Sequence, residues 1–293
     1  MNQPTSSDTV PEMQLLRSML YVPGSRVSAI EKARELPADA VILDLEDAVI
    51  PDQKPGARKA VADVLSAGGF GPRAALVRVN AGGTPWHHED VSMVAVSGAA
   101  GVVLPKAEDP SQVEAVAARL DDEMSVWAMI ETPRGVLAAE RIASTSGVAG
   151  LIAGTNDLRL DLQAKVSPDR AALTHALQMI VLAARAAGVA AIDGVFNAPK
   201  DAEGLRRECL QGRLFGFDGK TLIHPEQLGI ANDVFGPTPD EVSFAARQIE
   251  GFTSAQANGQ GVAVVDGVIV EELHVRSARQ LIVKADLIRD RGW

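Results

Sequence analysis

The stretch AVILDLEDAV, residues 40–49, decides the fold. Its first half is an unbroken apolar run. A strand with one wet face alternates apolar and polar residues, so a continuous run indicates a strand buried on both faces, as in a parallel sheet covered by helices. Its second half sets three carboxylates, Asp44, Glu46 and Asp47, at the end of that strand. Unpaired buried carboxylates are costly, so these acids either hold a cation or are partnered by bases.

Seven similar runs surround it: SMLYV (18–22), AALVRV (74–79), GVVLP (101–105), VWAMI (126–130), GLIAG (150–154), AAIDGVF (190–196) and LFGFDGKTLI (214–223). Segments with helical spacing lie between them, such as RVSAIEKAREL, GARKAVADVLSAG, PSQVEAVAARLDD and DRAALTHALQMIVLAARAAG. Several open on Pro or Asp and close on Gly. Eight strand–helix units predict an α/β fold, a (β/α)8 TIM barrel over residues 15–236, in preference to an open doubly wound sheet. No dinucleotide-binding or P-loop glycine pattern follows any of the runs.

After VFGPTPDE the pattern changes to a helix, a hairpin-like VAVVDGVIV and a final helix from about His274 to Arg289. Residues 237–293 thus read as a helix–hairpin–helix extension, too small for an independent core and expected to pack on the barrel or a neighbouring subunit. Residues 1–14 read as a disordered tail.

The chain has 293 residues, 46% of them hydrophobic, and 28 Lys and Arg stand against 38 Asp and Glu, a formal charge of −10. That balance argues against nucleic acid or an anionic membrane as the main partner, while leaving room for a small anion in a local basic pocket. A lone cysteine, Cys209, excludes an intramolecular disulfide and suits a reducing cytoplasm. No stretch resembles a signal peptide or reaches the roughly 18 apolar residues of a membrane span. A soluble, cytoplasmic protein is expected.

Active sites of such barrels lie at the C-terminal ends of the strands. Those ends read YVPGSR, DLEDAV, VRVNAGGT, LPKAED, MIETPRG, AGTNDL, GVFNAPKD and GKTLIHPEQ. Acids on several of them, with few histidines, suit a hard cation with oxygen ligands, Mg²⁺ rather than Zn²⁺. Glu131 and Asp157 are the preferred pair, each a lone acid before a turn; the alternative is that both are helix caps. Arg78, inside an apolar strand, suits a bound carboxylate held two-pronged, or else a buried salt bridge to the adjacent acids. Lys106 reads as an ion-pair partner of strand-end acids rather than a Schiff-base lysine. His224, before a proline, reads as a hydrogen-bonded turn residue rather than a base; His87 and His88 read as solvated loop residues. No nucleophile elbow is present.

Taken together, RSMLYVPGSR, AVILDLEDAV, VRVNAGGT, GVVLPKAE, MIETPRG, GTNDL and GKTLIHPEQL, in this order, resemble the citrate lyase β-subunit-like branch of the HpcH/HpaI aldolase superfamily from about Leu16 onward. The resemblance implies a Mg²⁺-dependent carbon–carbon lyase acting on a 3-hydroxyacyl-CoA thioester (malyl, citramalyl or citryl), yielding acetyl-CoA and a 2-oxo acid, and a homo-oligomer, trimer or hexamer. It also admits a β-subunit of a multi-subunit citrate lyase acting on a carrier-bound thioester, or a non-catalytic binding homologue. By position it makes Glu131 and Asp157 metal ligands and Arg78 the clamp on the oxo-acid carboxylate. Glu46 and Asp47 become acids that hold the metal's waters and pair with Arg78 when no substrate is bound. Gly24, Arg26 and Lys32 resemble the CoA-binding side. One departure stands out: DGVIVEELH places Glu271 where the group carries an aspartate that handles the thioester methyl proton, and Leu273 where it carries proline.

Overall fold

The structure, a computed structural model, describes residues 14–293. Of the expected N-terminal tail, residues 1–13 lie outside the described residues. The chain divides into a unit spanning Leu16–Phe235 and a second built on Gly236–Trp293.

The first unit is a closed barrel of eight parallel strands in sequence order. They are β1 (Ser18–Pro23), β2 (Ala40–Asp44), β3 (Ala74–Arg78), β4 (Gly101–Leu104), β5 (Ser125–Ile130), β6 (Val148–Ala153), β7 (Ala190–Asp193) and β8 (Gly219–Leu222). Its helices are α1 (Val27–Ala33), α2 (Lys54–Ala67), α3 (His87–Val94), α4 (Pro110–Ala117), α5 (Pro133–Ala143), α6 (Thr155–Asp161), α7 (Thr174–Ala187), α8 (Ala202–Phe215) and α9 (Leu228–Phe235). Pairing of β1 with β8, Leu20 against Leu222, closes the ring.

The continuous apolar runs have a direct cause. Alternate residues of a strand face opposite sides, and both sides here are dry. Ala40 and Ile42 join Met19, Leu76 and Trp127 in filling the barrel interior, while Val41 and Leu43 join Leu20 and Val77 in the layer under the helices. Every residue of β2 is buried. Gly150 makes room for the large interior indole: a Cβ there would come within 2.5 Å of Trp127.

Two expectations are corrected. The eighth strand is shorter than its apolar run, because Leu214 and Phe215 finish α8, which ends at Gly216 in the left-handed region with φ 99°. His87 and His88 are not loop residues: they open α3, and His87 Nδ1 lies 2.7 Å from the carbonyl oxygen of Asn80.

The second unit contains α10 (Pro239–Ala257), β9 (Ala263–Val265), β10 (Val268–Val270) and α11 (Glu272–Arg291). A capping box starts α10: Thr238 Oγ1 accepts from the Glu241 N–H at 3.2 Å, and the Glu241 carboxylate accepts from the Thr238 N–H at 2.7 Å. The hairpin turns on Asp266 and Gly267, φ 50° and 80°, the double positive φ that a two-residue turn of this hand requires. Phe252, Ala255, Ala263, Val265, Val270 and Val275 form a small apolar cluster within this unit. Among the described residues no helix is long and apolar enough to cross a membrane.

Candidate active site

Adjacent strands bring the first two site residues together. Asp44 and Arg78, the last residues of β2 and β3, are direct register partners. Arg78 Nε and Nη2 donate to the two oxygens of Asp44 at 2.7 and 2.6 Å, and Nη1 lies 3.1 Å from Glu46 and 3.2 Å from Asp47. Its guanidinium stacks on Tyr21, 4.8 Å from the ring centre. Asp44, only 1% exposed, also accepts the backbone N–H groups of Glu46 and Ala48 at 2.9 and 3.1 Å. It therefore pins the guanidinium and shapes the acid loop at once. The buried salt bridge to the adjacent acids, one of the two readings of Arg78, is present: Asp44 takes the Nε/Nη2 fork, and Nη1 faces Glu46 and Asp47.

The same loop is fixed from behind. Lys54, 6% exposed, donates to the carbonyls of Leu45 and Glu46 at 2.9 and 2.7 Å and to Asn80 Oδ1 at 2.6 Å. Burial pulls its ammonium pKa down.

Across the mouth, Glu131 follows β5 and is 3% exposed. It packs over Gly154, where a Cβ would sit 2.3 Å from its own Cβ, so glycine is required there. Glu131 Oε1 accepts the Lys106 backbone N–H at 2.8 Å; Lys106 takes a left-handed conformation, φ 50°, uncommon for a side-chain-bearing residue. Its ammonium lies 3.9 Å from Asp157, the ion-pair placement expected of it. The cap alternatives for the two acids are corrected. Thr132 caps α5, accepting the Gly135 N–H at 3.0 Å, and the cap position of α6 is Gly154, with Asp157 inside the first turn.

Tyr21, Asp44, Asp47, Arg78, Glu131 and Asp157 all line one cavity of about 330 Å³ at the C-terminal mouth. Burial, reinforced by the charge of Asp157, raises the Glu131 carboxyl to about 7. Burial also raises Glu46 to about 8, against the pull of Arg78 and with the help of Asp47 and Glu131. Acids outnumber bases around this mouth. The donor set, oxygen only and mutually repelling, fits a hard divalent ion such as Mg²⁺, which takes one or two protein carboxylates. Among the described residues no three His, Cys, Asp or Glu side chains gather as a metal-ligand group; the acids lining this mouth that could hold such an ion include Glu131 and Asp157.

Gly24, Arg26, Lys32 and His224 of the barrel are not among the residues that line this cavity. Gly24 donates its N–H to the Asp44 carbonyl at 2.8 Å, and a Cβ there would lie 2.9 Å from that oxygen, so it is a close-packing glycine beside the acid loop. Arg26 precedes α1 and Lys32 lies in its last turn, both exposed. His224 Nδ1 accepts the Glu226 N–H at 3.3 Å, the turn role expected of it. Glu271 belongs to the second unit, exposed at the start of α11, where its N–H donates to His274 Nδ1 at 3.0 Å. Sequence reasoning left Tyr21, Lys54 and the particular partnership of Asp44 unassigned. Only the last had a signal: Asp44 and Arg78 end neighbouring strands.

An eight-stranded barrel with carboxylates and a guanidinium converging on its C-terminal mouth defines the class of α/β-barrel proteins with a metal-type acidic site. The model of the family described as HpcH/HpaI aldolase/citrate lyase matches residues 17–225, and the chain belongs to that family. The (3S)-malyl-CoA thioesterase of Cereibacter sphaeroides is 50% identical over 272 residues, 93% of this chain and 95% of its own length. Citrate lyase subunit beta of Escherichia coli is 33% identical over 282 residues, 92% and 93% respectively. The crystal structure of CitE from Mycobacterium tuberculosis in complex with magnesium, acetoacetate and coenzyme A superposes with TM-score 0.78 at 32% identity, covering 92% of this chain and 97% of that one.

Proposed function

We propose that this chain is a Mg²⁺-dependent enzyme acting on the CoA thioester of a short 3-hydroxy acid that bears a free carboxylate, of the malyl type. The observation that carries this reading is the shared cavity, which offers Arg78 Nη1 to a carboxylate and the Glu131–Asp157 pair to a cation. Arg78 orients the substrate by trading Asp47, the exposed one of its three acids, for the ligand's carboxylate, while Asp44 keeps the guanidinium in place. Held by Glu131 and Asp157, Mg²⁺ would supply a Lewis acid to a substrate oxygen that carries negative charge during the reaction. Glu46, 3.1 Å from Arg78 Nη1 and raised by burial to about 8, is the acid placed to give a proton to the departing thiolate or enolate.

Two bonds are open to this machinery. Hydrolysis of the thioester is the first reading, supported by the half-identical relative named a (3S)-malyl-CoA thioesterase. Cleavage of the carbon–carbon bond to acetyl-CoA and a 2-oxo acid is the second, supported by the relatives named citrate lyase subunit beta. In the lyase, Glu271 would be a further acid for the thioester methyl proton. Incubation with Mg²⁺ and (3S)-malyl-CoA separates the two. Hydrolysis releases free thiol without glyoxylate; the lyase releases glyoxylate without free thiol. Neither product from malyl- or citramalyl-CoA would sink both readings.

A further inference from the structure

Beside the catalytic cavity lies a second of about 300 Å³. The two share Thr155, Asn156, Val195 and Asn197. The amides of Asn156 and Asn197 are mutually hydrogen-bonded, at 3.3 Å from Asn156 Nδ2 and 2.6 Å from Asn197 Nδ2, so this pair forms the partition. Beyond it stand three cations: Arg159 on α6, Lys165 in the following loop and Arg170 before α7.

The side chains of Arg159 and Lys165 have no ion-pair partner among the described residues. Arg170 is 8% exposed. It gives Nε to Gln211 at 2.9 Å and Nη1 to Asp193 at 2.7 Å, while its buried Nη2 has no partner. The one acid of the lining, Glu208, is already held by Lys220 at 2.7 Å and faces Arg170 at 3.5 Å. The cavity thus carries a positive surplus in a chain whose formal charge is −10. Val166, Leu173 and Phe196 line it as well, which favours an organic anion with an apolar stem over a hydrated inorganic one.

We infer that this second cavity is a carboxylate subsite, binding the anionic end of a small organic acid through Arg159 and Lys165 in front of Arg170. The carboxylate has two sources: the distal end of an acyl group reaching past Asn156 and Asn197 from the catalytic cavity, or a free dicarboxylic acid. Charge-assisted contacts of guanidinium and ammonium with carboxylate supply the affinity.

Calorimetric titration of the full chain tests this without any turnover, so its outcome is separate from that of the thioester chemistry. The probes are glutarate, and glutaryl-CoA against valeryl-CoA, which differ at the distal carboxylate. The variants are the double Arg159→Ala/Lys165→Ala and the charge-keeping Arg159→Lys/Lys165→Arg. Glutarate affinity, or the preference for glutaryl-CoA over valeryl-CoA, should fall at least about tenfold in the alanine double, as loss of one charge-assisted hydrogen bond predicts. The charge-keeping double should stay within about threefold of wild type, under 1 kcal/mol. A shift in the thioester preference assigns the subsite to the acyl chain; a shift confined to free glutarate assigns it to a free acid. The inference is overturned if the alanine double binds glutarate as tightly as wild type and keeps the wild-type preference for glutaryl-CoA over valeryl-CoA.

Discussion

Two charged clusters of the barrel make opposite use of burial. In the first, Asp193 at the end of β7 and its register partner Lys220 in β8 are completely buried, and Arg170 and Glu208 join them from the edge of the second cavity. Lys220 Nζ reaches Asp193 at 3.0 Å and Glu208 at 2.7 Å, and Arg170 reaches Asp193 at 2.7 Å. Two acids meet two bases. Burial pushes the Asp193 carboxyl up, but Lys220 and Arg170 outweigh it and hold the group below its usual range. In the second cluster, at the mouth, the acids exceed the bases and the shifts run the other way, Glu131 to about 7 and Glu46 to about 8. Burial alone does not set the protonation of a carboxylate; its partners do. A cluster whose acids and bases balance is a structural joint, whereas an acid surplus facing a cavity leaves charge for a ligand to neutralise.

The largest effect should come from breaking the balanced cluster. Lys220→Met strands Asp193 and Glu208 without their shared ammonium and should cost about 3–5 kcal/mol of stability in urea unfolding, as removal of one partner from a buried pair does. A cost under about 1 kcal/mol, the range of a surface pair, would erase the distinction between the two clusters.

At the mouth the same kind of change should spare the fold and strike the chemistry. Asp157→Asn should leave the melting temperature of the metal-free protein unchanged or higher, since it relieves Glu131. It should lower kcat/KM on malyl-CoA at least about 100-fold, or roughly 2.7 kcal/mol in the barrier. Full activity in this variant would remove Asp157 from the metal pair.

Lys54 gives a smaller, intermediate case. Lys54→Met takes the ammonium from Asn80 Oδ1 and one of two donors from each of the Leu45 and Glu46 carbonyls, which keep Asn80 Nδ2 and the Val49 N–H, a loss of about 1–3 kcal/mol, measurable by denaturation.

The smallest effect is on pH dependence. The folded chain keeps the Glu46 proton up to about pH 8, whereas the unfolded chain releases it near the ordinary 4.5. The folded state therefore binds more protons in this window, and the stability linked to Glu46 is lost as pH rises through it. The slope is at most about 1.4 kcal/mol per pH unit. Glu46→Gln should flatten that decline in the metal-free protein; an unchanged slope would show that Glu46 ionises normally.

Much of the barrel was legible because strands buried on both faces spell continuous apolar runs. The exception, β8, failed where the apolar end of α8 ran into the strand and the two periods merged at Leu214 and Phe215. Residue chemistry at the strand ends pointed to Glu131, Asp157 and Arg78, but not to how they are held. Which oxygen meets which nitrogen depends on register, and only the pairing of Asp44 with Arg78 and of Asp193 with Lys220 reveals that each acid already has its base. Lys54 was illegible for another reason: in PDQKPGARKAV it looks like one more solvated charge at a helix start, and only the fold places three acceptors around its ammonium.

Magnesium titration of the chain by calorimetry, beside Glu131→Gln and Asp157→Asn, tests the central claim most directly. The acid-surplus mouth predicts one Mg²⁺ per wild-type chain and at least about tenfold weaker binding in each variant, the scale on which disturbed metal sites lose affinity. Equal Mg²⁺ affinity in all three proteins would contradict it.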